Sequence, residues 1–253
     1  MKRAAVTALA NLGETVLIAV NAIAAIPRRP LETRAIFQQV YLQGNRAFGL
    51  LILMSGFAGL VMAYQFGIGL ARFGATAFMG QLVVLALARE MMPVLCALVL
   101  GGRIVAGIAA ELGAMVATEQ VAAVRALGAD PVKKLVLPRL FAATVVMPIY
   151  TIIGDVIGTV SGVLVGKLAY NIPARAFLMS AQERLALPDF FSGVIKSVFF
   201  GFVCGAIACR AGLSTRGGTA GVGRATTEAV IESSLTVVIL DFLLTRAMAP
   251  WLR

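Results

Sequence analysis

Long apolar runs are the feature that most limits what this 253-residue chain can fold into. Each run reaches roughly 20 residues or more, which is enough to cross a hydrocarbon core about 30 Å thick. The runs are Phe48–Leu70, Gln81–Ile108, Leu140–Leu168, Phe190–Ala211 and Val230–Trp251. Because backbone polar groups inside a bilayer must bond within their own segment, such runs fold as helices. The sequence therefore predicts an all-α integral membrane protein with five transmembrane helices.

The composition excludes an ordinary water-soluble domain. Charged residues make up 13% of the chain and hydrophobic residues 60%, with a mean hydropathy of +0.92. Soluble domains usually carry about 25% charged residues. This chain has too few polar groups to cover a surface that faces water.

The basic residues, which give a formal net charge of +10, predict the orientation of the spans. Of the 22 lysines and arginines, 14 lie in segments 1–46, 103–139 and 210–224, and 6 lie in segments on the opposite side. This bias places the amino terminus on the cytoplasmic side and, after five spans, the carboxyl terminus outside. Since the charges stand at the ends of apolar runs, they fit lipid headgroups better than nucleic acid.

Residues 1–46 differ from the five-span region, 47–253, because their apolar character is interrupted. Glu14 and Asn21 break the first apolar segment. We do not predict a signal peptide, because the segment lacks an uninterrupted hydrophobic region followed by a cleavage site. A second break comes at Pro27–Pro30. We predict two interfacial helices on the cytoplasmic face, with a partly disordered basic tail as the alternative.

Residues for catalysis or metal binding are scarce. The chain has no histidine, and its three cysteines, Cys96, Cys204 and Cys209, lie in apolar runs without metal-ligand spacing. Gly218 and Gly223 have the spacing of a phosphate loop, but Arg224 and Ala225 stand where lysine and a hydroxyl residue belong. We therefore predict no enzyme, and we interpret 213–229 as a flexible glycine-rich loop.

Two features inside the apolar runs suggest function or tight packing. Arg89 and Glu90 are adjacent charges, which face either a cavity or partner, or the outer interface. Four glycines spaced every four residues form a predicted packing ridge on the third span, beside Asp155, which needs a partner or water. The ridge consists of Gly154, Gly158, Gly162 and Gly166.

The segment Glu111–Arg139 is the most charged interruption between apolar runs. Its apolar residues follow helical spacing, Gly128 is placed to end the helix, and Pro131 stops its continuation. It is either an ordinary cytoplasmic loop or a docking helix through which a soluble partner moves the membrane region.

Four strings resemble the MlaE/YrbE family of permease subunits, which serve ABC transporters that work with MCE proteins in lipid trafficking. They are Arg89–Val94, Gly101–Arg139, Gly221–Ser234 and Leu240–Phe242. The resemblance is collinear over roughly residues 40–250. It departs from the family at Arg89–Met92, where Arg-Glu-Met-Met replaces the usual Arg-Glu-Leu-Gly.

The resemblance implies a homodimer in the bacterial inner membrane, with a cytoplasmic amino terminus and a role in outer-membrane lipid asymmetry. A separate MlaF-like ATPase would hold ATP and magnesium, so this chain needs no cofactor. A coupling helix at about 111–128 would contact that ATPase through Glu111, Glu119, Gln120 and Arg125. A hexameric MlaD-like MCE protein would meet the periplasmic segment, about 169–189, and a STAS-domain, MlaB-like protein would bind the ATPase.

The resemblance also implies a phospholipid pocket at the dimer interface, which ATPase closure would squeeze. Its lining would include Met62, Leu70, Phe73, Arg89 and Glu90, with Arg89 pairing with a phosphate. A secondary transporter of a hydrophobic or anionic solute is the alternative, although five spans do not divide into two equal repeats. A membrane scaffold is a third interpretation, for which intramembrane charges would be an unnecessary cost.

Overall fold

The computed structural model describes residues 2–25 and 32–252. Helices with short connections form this part of the chain, which contains no β-strand. The α-helices are α1 Lys2–Ala25, α2 Thr33–Arg46, α3 Phe48–Arg72, α4 Met79–Ala86, α5 Met92–Leu95, α6 Gly101–Ala117, α7 Gln120–Ala126, α8 Leu137–Tyr170, α9 Ala174–Arg184, α10 Leu187–Leu213 and α11 Gly218–Met248. Three π-helical segments, Leu87–Met91, Cys96–Leu100 and Val132–Val136, join neighbouring α-helices, and 3-10 turns occur at Thr76–Phe78 and Ala249–Leu252.

Four helical segments in the described chain are long and apolar enough to cross a membrane. They are Phe48–Arg72, Thr76–Ala117, Val132–Tyr170 and Leu187–Leu213. Helix α11, the fifth predicted span, has 31 residues, or about 45 Å at the usual rise, but carries Glu228, Glu232, Asp241 and Arg246. The prediction of an all-α multi-pass membrane protein is confirmed.

The amino-terminal region contains the two helices that its interrupted apolar pattern predicts. Helix α1 ends at Ala25 and α2 begins at Thr33. The predicted break at Pro27–Pro30 lies outside the described residues. The interfacial position of both helices stays a prediction.

Contacts divide the chain into two units. The first comprises Met1–Asn45, Gly101–Val146 and Phe199–Val238. In this unit the buried apolar side chains of α6, α10 and the start of α8 form the core. Gly205 has no side chain, so α10 approaches α8 closely enough that an added Cβ would lie 3.1 Å from Leu140. Cys204 and Cys209 are buried there as small apolar residues, as predicted.

The second unit comprises Arg46–Leu100, Met147–Val198 and Ile239–Arg253. Its core surrounds Phe177 of α9, which packs with buried side chains of α3 and α4. The predicted glycine ridge of α8 faces this core: a Cβ on Gly162 would lie 3.2 Å from Val83 and one on Gly166 3.1 Å from Phe177. The ridge therefore serves close helix packing, as its spacing indicates.

Two segments differ from their predicted structure. The helix predicted over 111–128 is interrupted, because α6 ends at Ala117 and Glu119 adopts a left-handed conformation, φ 59°, before α7. Gly128 (φ 74°) follows the end of α7, whereas Pro131 opens the next helical segment. The glycine-rich stretch 213–229 is mainly helical, since α11 already begins at Gly218.

Candidate functional site

A cluster of charged side chains lies within the apolar helices of the second unit. It begins at the π-helical segment Leu87–Met91, which contains Arg89 and Glu90. Pro93 has no N–H to donate to the carbonyl four residues earlier, that of Arg89, which disturbs the α-helical pattern. Such π-segments are often found at functional sites. Helix α10 comes close at this point, because a Cβ on Gly193 would overlap the carbonyl of Ala88.

Arg89 forms an ion pair with Asp189, in the first turn of α10. Its Nε donates to Asp189 Oδ1 over 2.8 Å, and its Nη2 donates to the same oxygen. The Ala186 amide donates to the other carboxylate oxygen, Oδ2, at 3.0 Å. Asp189 is buried, whereas the Arg89 side chain keeps 30% of its surface exposed. The Arg89 charge is therefore balanced by a buried carboxylate, while part of the Arg89 side chain remains exposed.

Lys196 of α10 links three helical elements through one ammonium group. Its Nζ donates to Glu90 Oε2 at 2.6 Å, to Thr245 Oγ1 at 2.7 Å and to the Arg89 carbonyl at 3.2 Å. Asp241 Oδ1 lies 3.1 Å from the same nitrogen. The Lys196 side chain is only 2% exposed, and these contacts use all three of its donors.

This arrangement, which we call the charge cluster, consists of Arg89, Glu90, Asp189, Lys196 and Asp241. Its formal charge is one negative unit, since three carboxylates face two cations. Buried charges of this kind persist only when paired. The cluster therefore fixes the π-segment against α10 and α11, and its cation Arg89 belongs to a side chain that is partly exposed.

The three apolar residues assigned to the predicted pocket occupy two different environments. Met62 and Leu70 of α3 are partly buried and pack against the core around Phe177. Phe73, just beyond α3, is 85% exposed. The hydrogen bonds of the Arg89 and Glu90 side chains go to α10 and α11, so these contacts do not join them to the three apolar residues.

The coupling residues predicted in the first unit also separate into two groups. Glu111 binds Arg139 of α8 through two hydrogen bonds, 2.7 Å and 3.3 Å long, and Arg139 also donates to the Leu135 carbonyl at 2.6 Å. Arg139 is buried. Glu111, whose side chain is 49% exposed, thus links α6 to the buried Arg139 of α8.

Glu119, Gln120 and Arg125 lie at the exposed end of the segment 111–128. Gln120 donates to the Thr118 hydroxyl at 3.0 Å, while no ion pair within the described chain engages Glu119 or Arg125. Leu127 is 85% exposed beside them. Val121 is buried and attaches α7 to its unit. The segment presents charge and an apolar side chain to its surroundings.

The charge cluster and the exposed segment lie inside a sequence stretch that matches a known family. The profile described as Permease MlaE covers residues 36–247. The chain belongs to the MlaE permease family. A probable ABC transporter permease protein of Rickettsia typhi is 40% identical over 94% of this chain and 92% of its own length.

Two further relatives of this MlaE family chain come from photosynthetic organisms. A probable ABC transporter permease protein of Synechocystis is 36% identical over 86% of this chain and 83% of its own length. The chloroplastic protein TRIGALACTOSYLDIACYLGLYCEROL 1 of Arabidopsis thaliana is 35% identical over 90% of this chain and 65% of its own length. The chain is accordingly a multi-pass membrane permease of the ABC transporter type.

Sequence reasoning missed Asp189, a member of the charge cluster, and Thr245, which forms hydrogen bonds with Lys196 and Glu90. Asp189 stands where the chain turns polar and was assigned to an extramembrane segment, although it pairs with a residue 100 positions earlier. Lys196 and Asp241 did carry a signal, because each is a charge inside an apolar run. Nothing in the linear pattern tells which of these charges meet.

Proposed function

We propose that this chain is the transmembrane subunit of an ABC transporter that moves phospholipid between the inner membrane and an MCE-protein channel. A separate, MlaF-like ATPase supplies the energy. The permease class rests on the family and on the Rickettsia and Synechocystis relatives. The phospholipid substrate, the partner proteins and the cytoplasmic position of the amino terminus are proposed in addition to this permease class.

The partly exposed side chain of Arg89 is the observation that carries the choice of substrate. A partly exposed cation within apolar helices suits a ligand that has an anionic group and acyl chains. Asp189 holds the guanidinium in position without covering it. The name of the Arabidopsis relative contains a glycerolipid, which agrees with a lipid substrate.

Coupling to the ATPase is assigned to the exposed segment around α7. Glu119, Gln120 and Arg125 provide polar contacts there, and Glu111 transmits its position to α8 through Arg139. ATP binding moves the partner, α7 moves with it, and the lipid pocket of a homodimer changes its affinity. Transport requires this difference in affinity, because a ligand that binds two states equally shifts neither.

The remaining assembly follows from the same proposal. The amino terminus and α7 lie on the cytoplasmic side, in accordance with the distribution of basic residues. Helix α9, Ala174–Arg184, lies on the periplasmic side and meets a hexameric MlaD-like protein. A STAS-domain, MlaB-like protein binds the ATPase. ATP and magnesium belong to the partner.

Affinity purification of the tagged chain in mild detergent, followed by mass spectrometry of proteins and lipids, tests this assembly. The proposal expects an ABC ATPase, an MCE protein and phospholipid in the same sample. A chain recovered with neither an ATPase nor an MCE protein would favour the secondary transporter. An ATPase together with a solute-binding protein and no phospholipid would contradict the lipid substrate alone.

A further inference from the structure

A second group of arginines surrounds a small cavity in the first unit, where α10 ends and α11 begins. The cavity has a volume of about 150 Å³, and its polar lining includes Arg210, Ser214, Arg216, Arg224 and Glu228. All of these residues belong to one unit and are separate from the charge cluster. The proposed transport mechanism makes no use of them.

The connection 214–217 brings the three arginines together. Gly217 and Gly218 have positive φ angles, 90° and 66°, which permit a tight entry into α11. A Cβ on Gly221 would overlap the carbonyl of Arg216, so this connection lies directly against the first turn of α11. A Cβ on Gly217 would lie 3.4 Å from Arg224 Nη2. Gly221 and Gly217 thus allow Arg216 and Arg224 to lie close to this connection at the cavity.

Arg210 supplies an unsatisfied donor. Its side chain is 7% exposed and pairs with Glu232 through Nη2, but its Nε–H has no acceptor among the described residues. A buried donor without an acceptor carries a cost that a bound anion would remove. Unlike Arg210, Arg216 and Arg224 form no ion pair within the described chain. With Glu228 and Glu232 included, the group carries one net positive charge.

The geometry and charge point to a phosphate group as the ligand. Arginine side chains bind phosphate oxygens through charge-assisted hydrogen bonds, and three of them line this cavity. The volume of the cavity is about 150 Å³. This volume suits a phosphate group, whereas whole small-molecule ligands usually need about 300 Å³ or more.

We propose that this cavity binds the phosphate of a phospholipid headgroup and so anchors the end of α10 at the membrane surface. Lipid is favoured over soluble phosphate because Arg210 lies in the last turn of an apolar segment, Leu187–Leu213, that is long enough to cross a membrane. Headgroup phosphates lie at that depth. The inference does not depend on lipid transport, because an anchoring lipid need not move.

Native mass spectrometry of the full chain in detergent, titrated with phosphatidylglycerol or with diacylglycerol, tests the proposal. The double variant Arg216→Gln/Arg224→Gln should lower the affinity for phosphatidylglycerol about tenfold. Arg103→Gln, which removes an exposed arginine elsewhere in the same unit, should leave it unchanged. Binding of diacylglycerol, which lacks phosphate, should be equal in all variants.

Inorganic phosphate separates the two sources of the ligand. If it competes with phosphatidylglycerol in the unaltered chain only at concentrations far above those of the lipid, the headgroup assignment holds. Equal competition at similar concentrations would overturn that assignment in favour of soluble phosphate. If the double variant binds as many phosphatidylglycerol molecules as the unaltered chain, and with the same affinities, the site itself is overturned.

A charge-preserving variant serves as the control for a general loss of structure. Arg216→Lys/Arg224→Lys retains both positive charges and should bind phosphatidylglycerol more tightly than the glutamine variant, because lysine still attracts phosphate as a point charge. An equal loss in the glutamine and lysine variants, together with a lower melting temperature, would mark a structural effect and contradict the proposal. Because the measurement needs no ATPase, its failure would leave the proposed transport function intact.

Discussion

Among single residues, Lys196 shows how an apolar helix retains a charge. It is the most buried charged side chain in the described part of the chain, and its ammonium meets Glu90, Asp241 and Thr245. Removing one member of a buried ionic group is costly, because the remaining charges lose their partner. The two carboxylates would then face each other without a cation.

Lys196→Met should therefore destabilise the protein by roughly 3 kcal/mol and lower its melting temperature in detergent. The triple variant Lys196→Met/Glu90→Gln/Asp241→Asn removes the unbalanced carboxylates and should recover most of the loss. Thermal unfolding followed by circular dichroism measures both. A melting temperature that Lys196→Met leaves unchanged would show that the cluster does not contribute to stability.

Arg89 differs from Lys196 because part of its side chain remains exposed. We predict that Arg89→Gln lowers phospholipid transfer by about tenfold or more, as expected when one charged contact to a phosphate is lost. Recovery of the ATPase on purification should not change. Arg103→Gln, an exposed substitution outside the predicted lipid pocket, serves as the matched control. Normal transfer by Arg89→Gln would remove Arg89 from the mechanism.

Among the helices, the approach of α3 to α8 depends on Gly59. A Cβ on Gly59 would overlap the carbonyl of Gly158, which is backbone and cannot turn aside. Gly69, ten residues later in the same helix, has nothing within 4 Å of an added Cβ. The same substitution should therefore have opposite effects at the two positions.

Gly59→Ala should destabilise the protein by about 1–3 kcal/mol, because overpacking separates the two helices. Gly69→Ala should be neutral or stabilise by up to about 1 kcal/mol, since alanine favours the helix. Melting temperatures of the two variants provide the comparison. Equal values would contradict the close packing of α3 and α8.

A separate prediction concerns the exposed segment around α7. Glu119→Lys reverses a charge that no described ion pair uses, so the fold should be kept while the ATPase binds less tightly. Glu183→Lys makes the same change on α9, which the proposal places on the opposite side of the membrane. Co-purification of the ATPase with each variant measures the difference. Equal recovery from both would count against the docking role of α7.

The sequence predicts the helices more completely than it predicts the contacts between them. The spans and α9 follow from hydropathy and charge, because a bilayer leaves few alternatives to a helix. The break at Glu119 escaped prediction, since its left-handed conformation is unusual for glutamate and leaves no local pattern. The pairing of Arg89 with Asp189 also escaped, because it depends on the packing of α10 against the π-segment.

For the whole molecule, the proposal links the cytoplasmic segment to a lipid pocket through the helices of each protomer. The MlaE permease family and the ABC permease relatives establish the class of transporter. Energy then comes from a partner ATPase, and in the proposed function the lipid is released when that partner changes state. A secondary transporter would instead couple transport to an ion gradient.

Transfer of labelled phospholipid by the purified complex in proteoliposomes distinguishes these two mechanisms most directly. We predict transfer that requires ATP hydrolysis, fails with a non-hydrolysable ATP analogue and persists when ion gradients are dissipated. Glu119→Lys should reduce it. Transfer that continues without ATP and stops when the gradients are dissipated would contradict the proposed function.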